Sequence, residues 1–140
     1  GFQLLADRIA GTIERPKGVE ALAGHAAALE AALEHLGAAT RAAWQGDDPQ
    51  RSLANATPYL QAFGHVVLAW IWLDVALCAQ ARLDEAAGGG ASDASNAAFL
   101  RGKLAACAYF FRYELPRIGA WLKVVETQDD TCLTMTDDWF

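Results

Sequence analysis

The stretch VEALAGHAAALEAALEHLGAATRAA, residues 19–43, decides the fold. Val19, Leu22, Ala26, Leu29, Leu33, Leu36, Thr40 and Ala43 recur at alternating steps of three and four. That spacing draws a seam along one side of a helix and suits a neighbouring helix at a shallow angle. Glu20, Glu30, Glu34 and Arg41 fall off the seam, so they are expected in solvent. We place this helix at residues 17–45. Gly46-Asp47-Asp48-Pro49 then stops it and starts another: glycine ends a helix, Asp48 suits a cap and Pro49 a first helical position.

Working outward, Leu5, Ile9 and Ile13 share one face of a short N-terminal helix that Pro16 ends. Residues 1–15 thus read as a short helix or a linker from an upstream domain. No cap residue precedes it, as expected of a cut inside a longer protein. The next helix spans 49–85 and holds Pro58, which either kinks it or marks a second start with Thr57 as cap. Beyond Pro58 it is apolar almost all round. Leu60, Phe63, Val67, Trp70, Ile71 and Leu77 lie on one side, and Leu68, Trp72 and Ala76 on another, the pattern of a central helix met from several sides. Gly88-Gly89-Gly90-Ala91-Ser92 reads as an exposed flexible loop. A last helix spans 95–126, with Ser92, Asp93 or Ser95 as cap. Its seam is Leu100, Leu104, Cys107, Phe111, Leu115, Ile118, Leu122 and Val125. Pro116 should bend it, because the carbonyl of Arg112 loses its partner. The expected fold is all-α: an elongated antiparallel bundle of three long helices, each about 40–55 Å, plus the short N-terminal helix. Residues 1–140 form a single domain in this reading, and 127–140 an acidic tail ending in Trp139-Phe140, frayed or docked on the domain or on a partner.

Composition agrees. Of 140 residues, 30 are alanine and only 4 proline, which favours helix over strand. With 54% hydrophobic and 20% charged residues, disorder is excluded. A net charge of −6 argues against a nucleic-acid or anionic-membrane binder. Residues 62–79 are apolar enough to raise a membrane span, but they carry His65 and Asp74 and barely reach the usual ~20 residues, so a buried helix is expected. Cys78, Cys107 and Cys132 include no C-x-x-C pair, which points to reduced thiols in the cytoplasm. The N-terminus has no signal-peptide pattern.

Catalytic patterns are not found. A di-iron bundle needs Glu-x-x-His on two helices, and no glutamate here has a histidine three residues on. Glu34 and His35 are adjacent and point about 100° apart; His25 and His35 fall on different faces. There is no G-x-S-x-G, and the triple glycine is followed by no Gly-Lys-Ser/Thr. We therefore expect no catalytic, cofactor-binding or metal residues in this chain. Asp74 falls on an apolar stripe, where a carboxylate needs a partner; Arg101 or Arg112 is expected, with Glu114 competing for the same arginine. His65, away from that stripe, reads as a core or interface histidine. Trp44, Trp72, Trp121 and Trp139 exceed what one seam can bury, which points to an interface with more protein.

Two runs carry a family likeness. Residues 56–67, ATPYLQAFGHVV, and 99–111, FLRGKLAACAYFF, followed by Leu115-Pro116, resemble the C-terminal helical extension of large acyl-CoA dehydrogenases, among them bacterial enzymes acting on 3-methylthiopropanoyl-CoA. The likeness covers residues 17–140. It implies a full-length enzyme that binds FAD, removes the α-proton of an acyl-CoA thioester with a glutamate and passes the β-hydride to the flavin. Those parts belong to preceding domains, which become this chain's partners. For the extension itself the resemblance implies a packing and oligomer-stabilising role in a homo-oligomer. The alternative is an independent helical partner-binding module without activity.

Overall fold

A computed structural model describes residues 1–88 and 94–140, with backbone alone at residues 17 and 18. Among these residues every regular element is helical. The first helix, α1, is Phe2–Glu14, followed by a 3-10 turn at Arg15–Gly18 in which Pro16 is buried. Val19 is extended and starts α2, Glu20–Ala43. Asp48 caps the short α3, Pro49–Leu53, by accepting the Gln50 amide at 2.9 Å. Helix α4 is Ala56–Ala87.

The expected 49–85 helix is therefore broken, but at Ala54–Asn55 rather than at Pro58. Pro58 sits in the first turn of α4, where amides have no intrahelical acceptor and a missing N–H costs little. Asn55, not Thr57, is the cap position, and its side-chain amide is spent elsewhere, on the Asp129 carbonyl at 2.8 Å. The Gly89–Ser92 part of the expected loop and the Ser92 and Asp93 caps lie outside the described residues.

The expected 95–126 helix is a succession. Helix α5, Ala94–Tyr109, passes into a π turn at Phe110–Glu114, a 3-10 turn at Leu115–Arg117 and α6, Ile118–Glu126. Pro116 explains the sequence of turns. It has no amide for the Arg112 carbonyl, so the ladder widens before it and tightens across it. After α6 come one turn of helix, α7 (Thr131–Thr134), and a 3-10 turn at Asp137–Trp139.

Side-chain pairs fix the directions. Thr40 of α2 meets Tyr59 of α4 at 3.0 Å, His25 stacks on Phe111 at 4.6 Å and His35 meets Glu126 at 2.9 Å. So α2 runs antiparallel to α4 and alongside the α5–α6 path, while α4 and α5–α6 are antiparallel. Helix α1 lies along α4, with Trp70 donating to the buried Thr12 hydroxyl at 2.7 Å. One core joins them, with Ile9, Leu29, Leu36, Val66, Leu73, Cys107 and Leu122 essentially inaccessible.

Helix α4 is central as expected, met by α1, α2, α5 and α6, but part of its apolar surface faces solvent. It buries Ala62, Val66, Ala69, Leu73 and Ala76, and turns Leu60, Leu68, Ile71 and Cys78 outward. Its small residues are inside because they let α2, α5 and α6 approach closely. Its mean hydropathy of 1.8 over the most apolar window makes it long and apolar enough to cross a membrane by length and composition.

Candidate functional site

Three of the polar joints between helices centre on Asp74, His65 and His35. At the first, Arg15 meets Asp74 at 2.5 Å. The partner is on the turn after α1, not Arg101 or Arg112, and both side chains are about half exposed. Asp74 is thus no buried lone carboxylate: the sequence stripe that holds it borders solvent. At the second, His65 Nδ1 lies 3.0 Å from the Gln61 carbonyl and Nε2 3.6 Å from Glu114. Its ring sits edge-on to Trp121 at 4.7 Å. Glu114 also accepts from Arg117 at 2.8 Å, and that hydrogen bond holds its carboxyl below the usual range. Glu114 therefore competes for no arginine of Asp74; the π turn swings it towards α4. At the third, His35 meets Glu126 between α2 and α6.

None of these joints assembles reaction chemistry. Cys107 is the nearest thing to a buried nucleophile, and burial pushes its thiol up to about 11, so it stays protonated. His25 is held below its ordinary value by burial and then by Arg112. Among the described residues no group of three His, Cys, Asp or Glu converges as metal ligands would. The residues do not fit a flavin dinucleotide either. One cleft, about 350 Å³, is lined by Ala28, Ala31, Ala32, Phe111, Leu115 and other apolar residues with His35 as its one titratable side chain, and it offers no Lys or Arg for a pyrophosphate.

The surface is more informative. Leu60, Leu68 and Ile71 of α4 are 64%, 45% and 49% exposed. On the adjoining helix Phe99, Tyr109 and Tyr113 are exposed as well, the two tyrosines stacked at 4.8 Å. Between α4 and α5 lies a cleft lined by Asp74, Val75, Cys78, Arg82, Phe99 and Lys103, of which Phe99 belongs to the exposed set. Of the four tryptophans expected to exceed the seam, Trp44 and Trp139 are mostly exposed, whereas Trp72 and Trp121 are partly buried against the core.

The C-terminal segment is rooted at one end and open at the other. Gln128, at φ 49°, donates to the Ala42 carbonyl at 2.8 Å and closes the end of α2. Arg51 meets Asp130 at 2.6 Å. Beyond that, residues 131–140 are all exposed, so Trp139 and Phe140 do not dock on their own chain.

The family model for the acetyl-CoA dehydrogenase C-terminal-like domain matches residues 5–136. The chain belongs to that family. No curated protein matches it. The match covers α1 through α7 and includes the three polar joints above, so the C-terminal-like domain accounts for nearly the whole chain.

Proposed function

We propose that this chain is the C-terminal structural and oligomer-stabilising domain of a large acyl-CoA dehydrogenase. The full-length enzyme oxidises an acyl-CoA thioester to the 2-enoyl-CoA with FAD held by upstream domains of the same polypeptide. The carrying observation is the family match over residues 5–136. The resemblance of residues 56–67 and 99–111 supports the narrower assignment to the 3-methylthiopropanoyl-CoA dehydrogenase class. The exposed wall on α4 and α5 is of the kind that packs against more protein, here the upstream domains and a neighbouring subunit. On this reading α4 is a protein-packed helix rather than a membrane span, and the free thiols Cys78, Cys107 and Cys132 fit a cytoplasmic enzyme.

The test is a pair of flavin spectra. The native protein captured from its source cells should carry flavin that an acyl-CoA thioester bleaches, whereas the pure 140-residue chain mixed with FAD should retain none. A colourless native protein would contradict the enzyme assignment. Stoichiometric flavin on the pure chain would contradict the structural role.

A further inference from the structure

We infer that residues 137–140 of one copy dock into the α4–α5 cleft of a second copy. The inference rests on the oligomer-stabilising reading above and names the contact that carries it.

The two surfaces match in chemistry. The tail ends Asp137-Asp138-Trp139-Phe140, with Trp139 64% and Phe140 95% exposed. The cleft, about 220 Å³, has an apolar floor of Val75, Ala79, Leu100 and Phe99, and two cations on its walls, Arg82 and Lys103. Among the described residues neither cation has a carboxylate partner; Lys103 lies over the Phe99 ring at 4.8 Å. Nearby carboxylates are already engaged: Asp74 on the rim by Arg15, and Asp84 by Gln80 at 2.8 Å. Aromatic rings entering the floor would place two aspartates beside two unpaired cations.

The cleft of the same copy is out of reach. The tail is rooted beside Asn55 and Arg51, at the start of α4. From there to Val75, at the near end of the cleft floor, is about 30 Å along the helix. From Asp130 to Trp139 the chain spans about 23 Å with Thr131–Thr134 wound into helix and the rest fully extended. The exchange must be between copies. Its size is adequate: at about 150–250 Å² per aromatic side chain, four rings and their receiving walls remove roughly 1,200–2,000 Å² in a reciprocal dimer, a standard interface.

Sedimentation of the 140-residue chain tests this through charge reversal. The tail variant Asp137→Lys/Asp138→Lys and the cleft variant Arg82→Glu/Lys103→Glu should each weaken self-association at least tenfold, with unchanged helical circular dichroism. Mixing the two variants should restore the dimer, because each tail then faces a cleft of opposite charge. A misfolded variant could not be rescued by mixing, so rescue reads the contact itself. A monomeric wild-type chain, full association in the tail variant, or a mixture that stays monomeric would each overturn the inference. Flavin enters none of these readouts, so a tail-dependent dimer found in a protein without flavin would sink only the enzyme assignment.

Discussion

Replacing Leu73 by alanine tests which face of α4 is inside. Leu73 is completely buried among Val66, Ala69 and Ala76 of the inner stripe. Losing about three methyl or methylene groups at ~0.8 kcal/mol each removes about 2.4 kcal/mol of transfer energy. The cavity left behind raises the cost to about 3–4 kcal/mol, because helices packed on alanines cannot close further. Ile71→Ala, on the 49% exposed side, removes the same kind of surface from water only in part and should cost under about 1 kcal/mol. For 140 residues the unfolding entropy is about 0.3 kcal/mol/K, so Leu73→Ala should lower Tm by about 10 °C and Ile71→Ala by about 3 °C or less. Urea and thermal unfolding followed by circular dichroism measure both. Equal losses, or a larger loss for Ile71→Ala, would refute the packing described for α4.

Three further outcomes follow from the polar groups. His25 has a folded pKa below its ordinary 6.5, so the unfolded chain binds its proton more readily. Stability is therefore fully present above pH 6.5 and falls as pH drops below it, by at most about 1.4 kcal/mol per unit. His25→Gln should flatten that slope in urea titrations between pH 7.5 and 5.5, and an unchanged slope would contradict the assignment. The half-exposed Arg15–Asp74 pair should show a coupling under about 1 kcal/mol in a double-alanine cycle; a value above about 2 would mean the pair is buried in solution. In native protein a thiol reagent should titrate Cys132 quickly and Cys107 only on unfolding, so a fast Cys107 would count against this core.

Much of the fold was legible where local chemistry decides. Helix α1 has the expected limits because Pro16 acts within its own turn, and Asp48 and Pro49 start α3 because a cap needs only its neighbours. The misses are tertiary. On α4 the apolar residues surround the helix, so periodicity could not rank the faces. The alanine stripe won because close approach of α2, α5 and α6 demands small side chains, leaving larger ones outside. Pro116 announced a bend, but whether the ladder widens or breaks depends on contacts from α4, where His65 meets Glu114 and Phe110 of the π turn. Asp74 was paired with the wrong arginine because α1 approaches α4 through a contact 59 residues apart in sequence. The root of the tail was illegible for the same reason: Gln128 and Asp130 reach back to α2 and α3. The surplus of large apolar residues on α4 was the signal in the sequence for an exposed apolar surface.

The most direct test of the central claim is the mass of the native polypeptide in its source cells, read on a denaturing gel with an antibody raised against this chain. A membership that makes the chain the C-terminal domain of a dehydrogenase predicts a band several times heavier than 15.0 kDa. A band at 15.0 kDa would contradict it, leaving the independent partner-binding module in its place.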